Sequence, residues 1–205
     1  MRRRGRVGYP AETLEIGIAM APPSPGGYRF ERLSVMVIDD NPHMLDLISE
    51  VLRGLSIRRV IRLTDAAEAF KHMMSDPVDL IVLNHVMDNL NGLEFARLVR
   101  SGEGSPDTFV PIIMVTGYGD AATVRAARDA GVNEFLAKPI SARGLYARIL
   151  EVIDKPRPFI RCPDYFGPDR RRREAPFEGE ERRTTAPAES PEGGGAQLIP
   201  VAGRG

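Results

Sequence analysis

The stretch VDLIVLNHVMDNLNGLEFARL, Val78 to Leu98, reads as a strand, a loop and a helix in direct succession. Residues 78–83 are apolar almost throughout, as a central parallel strand covered on both faces should be; a half-exposed strand would alternate. The strand delivers Asn84 to the loop. Asn91 and Gly92 form a turn into a helix over 92–101, with Gly92 permitting positive φ. In such a unit the strand's carboxyl end is where chemistry is placed, so the meaning of a carboxamide at 84 becomes the question.

Working outward, the same alternation recurs five times between Leu33 and Asp154. LSVMVI (33–38) is a strand, and Pro42 opens a helix that Gly54 can cap. SIRRVIRL (56–63) is a weaker strand whose outward arginines suit a sheet edge, and Asp65 is the expected N-cap of the helix that follows. VPIIMVT (110–116) and NEFLA (133–137) are further strands; 120–131 and 141–154 are further helices. Five such rounds in about 120 residues predict an α/β fold: a five-stranded, doubly wound, flavodoxin-like parallel sheet with helices on both faces. Ligands of such sheets bind beyond the carboxyl ends of the central strands.

Composition bounds the rest. The chain has 205 residues, is 42% hydrophobic and carries no net charge, enough for one domain with extensions. Residues 1–30 carry five Arg against two Glu and are expected to be a disordered arm; 31–155, the domain, hold 14 basic against 18 acidic residues; 156–205 hold nine Arg against eight acids. Nothing in that distribution suggests a nucleic-acid partner. A single cysteine, Cys162, excludes an intrachain disulfide and suits a reducing compartment, and no apolar run reaches membrane-span or signal-peptide length, so the expected location is the cytoplasm.

The polar residues after strands one, three, four and five are Asp39 with Asp40, Asn84, Thr116, and Lys138 followed by Pro139. With VIDDNP, DLIVLNHVMDNLNGLEF, PIIMVTGYGD and GVNEFLAKPI in this order, the segment from about Leu33 to Asp154 resembles the CheY-like receiver domain of bacterial two-component response regulators. The resemblance implies that Asp39 and Asp40 are Mg2+ ligands, Thr116 the switch hydroxyl, Lys138 the cation at the transferring phosphoryl group, and Phe135 the aromatic whose rotamer reports the state. It also implies an aspartate at position 84, which takes a phosphoryl group from a histidine kinase.

Asn84 departs from that pattern. A carboxamide has one acceptor oxygen and two N–H donors, no charge, and a delocalised nitrogen that is no nucleophile. The acidic set falls to two carboxylates, so Mg2+ is expected to bind weakly, and Lys138 is expected to turn to Asp39 or Asp40. No stable phosphorylation at 84 is expected. Alternatively, Asp40, Asp88 or His85 accepts the phosphoryl group in its place, which would make the protein a relay or phosphate sink.

The extension over 156–205 is expected to be mostly disordered, with a docking segment at 157–177 where Phe159, Ile160, Tyr165, Phe166 and Phe177 surround Arg170, Arg171, Arg172 and Arg173. These aromatics are expected to fold back on the domain, the last helix being one surface they would cover, with the arginines facing its acidic patches, or to make a related contact with a partner. Alternatively, Arg170–Arg173 bind an anion such as a cyclic dinucleotide; an arginine preference of 25 against three lysines is the plain explanation of the run. No DNA-binding or enzymatic segment is recognisable after the receiver-like part, so the reading is a stand-alone, non-enzymatic receiver. It would act by contact with a histidine kinase, phosphotransfer protein or output protein, through the face spanning Asp120 to Ile153 with Tyr118, Arg125, Arg128, Arg143 and Arg148.

Overall fold

A computed structural model describes residues 30–102, 104–117, 119–170 and 197–200. The N-terminal arm, Tyr118, Phe177 and Arg171 to Arg173 lie outside them. Five strands, β1 (Ser34–Ile38), β2 (Arg59–Leu63), β3 (Leu80–Asn84), β4 (Ile112–Thr116) and β5 (Glu134–Ala137), form a parallel sheet in the order β2-β1-β3-β4-β5. Helices α1 (Pro42–Gly54), α2 (Ala66–Ser75), α3 (Gly92–Ser101), α4 (Ala121–Asp129) and α5 (Ala142–Asp154) alternate with them. Every residue of β1, β3 and β4 is buried, which accounts for their unbroken apolar runs. Strand β2 is the edge, and its outward Arg59 and Arg62 pair with Asp76 and Asp46.

Each strand feeds two cores. Met36, Ile38, Ile81, Leu83, Ile112 and Met114 face α2, α3 and α4, while Val35, Val37, Leu80, Val82, Ile113 and Val115 face α1 and α5. Strand order reverses between β1 and β3, so the crevice beyond their carboxyl ends is open to side chains from both.

Local chemistry starts the helices. Asn41 caps α1 by accepting from the His43 N–H, with Pro42 at the first helical position; Asp65 caps α2, as expected, by accepting from Glu68 N–H at 2.8 Å. Asn91 and Glu94 close a reciprocal capping box on α3 at 3.0 Å each. Two expectations fail here. Helix α1 runs through Gly54, and it is Ser56 that takes the left-handed φ of 68°. Gly92 is helical, and the positive φ in its loop belongs to Asn89. Glycine is needed at 92 for close approach: a Cβ there would sit 2.3 Å from the Asn84 carbonyl oxygen.

That contact sets a prediction. Gly92→Ala is expected to destabilise the fold by about 1–3 kcal/mol, because backbone cannot yield as a side-chain tip does. Gly54→Ala, where nothing lies within 4 Å, is expected to be neutral or stabilising. Urea midpoints of the two variants decide it; equal midpoints would remove the close-approach argument.

The extension holds regular structure that its sequence did not announce. Strands β6 (Phe159–Cys162) and β7 (Tyr165–Pro168) form an antiparallel hairpin, and β8 (Gln197–Ile199) pairs with the other side of β6. The segment does fold back on the domain, with Arg157 and Arg170, on either side of the hairpin, against Glu134 and Asp129. It meets the end of α3 and the loops entering β4 and β5, because that is where its apolar partners are. Phe109 gathers Phe159 and Phe166 at centroid distances of 5.0 and 5.3 Å, and Gly131 admits Gly167. Arg100 is buried under this cap, its guanidinium 5.1 Å from the Phe159 centroid and donating to Gly131 O, Thr108 O and the Asn133 side-chain oxygen. Burial pushes its pKa down to about 9, so it stays charged at neutral pH.

Candidate functional site

Strands β1, β3 and the exit of β5 bring four of the expected residues together at the sheet's carboxyl edge. Asp39 follows β1 and is 1% exposed; Asp40 is at the surface; Asn84 ends β3 and is 8% exposed. The Asn84 amide nitrogen donates to Val86 O at 2.6 Å and to the Asp39 and Asp40 carboxylates at 3.3 Å each. Its oxygen accepts from Lys138 Nζ at 3.2 Å. These partners fix the amide's orientation, since the reverse would set N–H groups against an ammonium and a carbonyl oxygen against two acids. Lys138 also reaches Asp39 Oδ2 at 3.4 Å, so the lysine does turn to Asp39 while keeping Asn84.

Thr116 ends β4 and is 1% exposed, with its hydroxyl 3.2 Å from His85 Nδ1. Nothing in the sequence pattern signals that pairing, since His85 reads from its position as a loop or core residue. Phe135, on β5, is half-buried and packs against the core that faces α2, α3 and α4. Of the arginine run only Arg170 is described, and it stands at the far end of the domain's last strand, beside Asp129.

Burial raises the Asp39 carboxyl above its ordinary 3.8, against the Asn41 N–H and the Lys138 ammonium, which lower it. The folded state therefore holds that proton more tightly than the unfolded chain. Its contribution to stability is full below about pH 3.8 and is lost as pH rises through the folded value. Asp39→Asn lacks this loss, so its stability relative to the unsubstituted chain is expected to increase as pH is raised from that point. Thermal melts of both across the acid range test it, and a pH-independent difference would contradict it.

The donor set suits a divalent cation only in part. Asp39 and Asp40 supply hard oxygens, but the amide N–H of Asn84 points at both, where a cation would need a third oxygen. No cluster of three or more His, Cys, Asp or Glu suited to a metal occurs among the described residues. Such a set fits a weakly held Mg2+ on Asp39 and Asp40 and not a tight one.

Residues 35–150, more than half of the chain, match the family described as the response regulator receiver domain. The chain belongs to that family. Its matched part is 34% identical to the cyclic di-GMP phosphodiesterase response regulator RpfG of Xanthomonas campestris over 57% of this chain and 30% of that protein. It is 33% identical to the CAI-1 autoinducer sensor kinase/phosphatase CqsS of Vibrio cholerae over 54% and 16%, and 27% identical to the DNA-binding response regulator MtrA of Mycolicibacterium smegmatis over 58% and 49%. The chain thus matches less than half the length of each of these relatives. A response regulator from Chloroflexus aurantiacus shares the fold at a TM-score of 0.56 and 24% identity, covering 60% of this chain and 98% of that one. The chemotaxis protein CheY4 of Vibrio cholerae does so at 0.54 and 23%, covering 58% and 98%.

The chain is therefore a receiver of two-component signalling, on a CheY-like fold. Receivers are in general signalling modules that meet histidine kinases and output proteins. Among the described residues no helix is long and apolar enough to cross a membrane.

Proposed function

We propose that this receiver signals without a phosphoryl group at position 84, by protein contact through the face made by α4, β5 and α5. The carboxamide of Asn84 supports this reading: it occupies the acceptor's place, is neutral, is no nucleophile, and already binds the acids and lysine that would otherwise serve a phosphorylated aspartate. A receiver is a two-state protein, and without its covalent input the populations follow intrinsic stability until a partner prefers one state. A histidine kinase, phosphotransfer protein or output protein is the partner class. Asp39 and Asp40 with Thr116, Lys138 and Phe135 then serve as structure and as the hinge of the two states.

Arg125 and Arg143 are exposed on that face, on α4 and α5. Pull-down with the full chain and with an Arg125→Glu/Arg143→Glu variant tests the proposal. Loss of captured proteins in the variant is the expected result, and an identical set would contradict the assigned face. The full chain is the right bait, because truncation after Asp154 would strip the cover from Arg100 and Phe109.

A further inference from the structure

We infer that the C-terminal hairpin is a regulatory strap: by holding residues 128–134, where α4 passes into β5, it sets which of two arrangements the α4–β5 part of the contact face adopts. The inference rests on the proposed role of that face, and it puts control of the face in the extension, not at Asn84.

Helix α4 is the element most open to such control. Ala127 is the one residue within it that is buried, against three to five in each of the other helices. So little burial binds a helix weakly to its sheet, and elements that move are drawn from that end of the stability range. Its first turn is fixed locally, since Asp120 accepts from the Ala122 and Thr123 N–H groups and from the Thr123 hydroxyl. Its last turn is held from outside.

The segment 157–170 supplies that hold. Arg170 pairs with Asp129 at 3.3 Å while stacking on the Tyr165 ring at 4.0 Å, and the Tyr165 hydroxyl lies 3.5 Å from the Arg128 carbonyl oxygen. At the turn that follows, backbone meets backbone: a Cβ on Gly167 would sit 2.9 Å from Gly131 Cα. At the entry to β5, Arg157 donates to the Asn133 carbonyl and lies 3.6 Å from Glu134, which is also 3.4 Å from Arg148 on α5. Arg100, covered by Phe159, donates to the Gly131 carbonyl at 3.0 Å and to the Asn133 side-chain oxygen at 2.9 Å. These contacts fall on one connection and join it to α3 and α5. The Arg170 pair is exposed and adds little alone, so the buried contacts at 131–134 carry most of the hold.

An arrangement of α4 and β5 that displaced this connection would break those contacts. The strap therefore favours the arrangement seen here by their free energy. Strand β5 carries the bias onward, because its far end pairs Ala137 with Thr116 and delivers Lys138 to Asn84.

Two-dimensional proton–nitrogen amide spectra of the full chain, of Arg170→Ala, of Arg157→Ala and of the double variant test the inference. Each substitution removes one grip and leaves Phe159 packed on Phe109, so the resonances of β1 and α1 should stay in place. Those of α4, of β5 and of Thr116, about 10 Å further along the strands, should move along common lines, as a two-state population shift requires. Arg157→Ala should move them further than Arg170→Ala, and the double variant furthest. Leu198→Ala, whose side chain is exposed on β8, should move none of them. Shifts confined to residues 128–134 and the hairpin would overturn the inference, as would shifts of α4, β5 and Thr116 without a common line. Should the double variant unfold, the two single variants carry the same comparison. The contact face itself is tested by the Arg125→Glu/Arg143→Glu pull-down, so the two readings fail separately.

Discussion

Asn84→Asp is expected to turn a chain that takes no label from acetyl phosphate into one that does, with at least about a hundredfold more acyl phosphate in the presence of Mg2+. The substitution is nearly isosteric, so backbone and rotamer should hold. What changes is the chemistry at one atom: the Nδ2 that donates to Asp39, Asp40 and Val86 O becomes a carboxylate oxygen facing two others at about the same 3.3 Å. That oxygen attacks phosphorus, the bond to the acetate oxygen breaks, and acetate leaves. Lys138, 3.2 Å from the other oxygen of residue 84, is placed to balance charge on the transferring group.

A second readout separates site restoration from adventitious labelling. Three clustered carboxylates repel one another and raise each other's pKa unless a cation joins them. Added Mg2+ should therefore raise the melting temperature of Asn84→Asp and leave that of the asparagine form nearly unchanged. Equal, Mg2+-dependent labelling of both chains would sink the proposed function and transfer the acceptor role to Asp40, Asp88 or His85. Asp40 is a surrogate that the amide contacts at 3.3 Å, and the Asp40→Asn variant of the asparagine form would show whether it carries the label.

The receiver fold was legible because its central strands are buried on both faces and so leave continuous apolar runs, each ending in or followed by a polar residue at the sheet's carboxyl edge. The contact of Lys138 with Asp39 follows from the resemblance, which puts the lysine beside position 84: facing a neutral amide there, an ammonium also reaches the nearest carboxylate. The pairing of His85 with Thr116 was not, because it joins side chains 31 positions apart and has no pattern in either segment. Gly92 shows another limit: its role is a backbone contact with Asn84, which is set by how α3 seats on β3 and not by its own φ.

The hairpin marks the largest gap. FIRC and YFGP are four residues long, and Gly167 and Pro168 argue against a strand, so neither propensity nor period could signal β6 and β7. Their register comes from packing on Phe109 and Arg100. Arg100, in turn, reads from sequence as one more charged residue on a helix, and only the hairpin makes it a buried one. For the same reason the hold of Arg157 and Arg170 on residues 128–134 could not be foreseen: both arginines arrive with the extension.

Whether that extension belongs to the folded unit is decided by Phe159→Ala, expected to cost about 3–5 kcal/mol. The ring is 1% exposed, touches Phe109 and Phe166, and covers the Arg100 guanidinium. Truncation loses the ring's burial and leaves a cavity where the strands β6 and β7 meet the domain. One effect opposes the loss: water admitted to Arg100 relieves the burial that now holds its pKa down. Its three hydrogen bonds to Gly131, Thr108 and Asn133 keep the guanidinium in place, so the relief is partial and the net change stays destabilising. Against a typical domain stability of about 5–15 kcal/mol, a loss of this size moves the urea midpoint far enough to measure plainly. Leu198→Ala on β8, where the side chain is 62% exposed, should change it by less than about 0.5 kcal/mol. A single, earlier transition for Phe159→Ala makes the hairpin part of the receiver's cooperative core. A change below about 1 kcal/mol, or a separate early transition with the main one unmoved, would make it an appendage that Arg100 does not need.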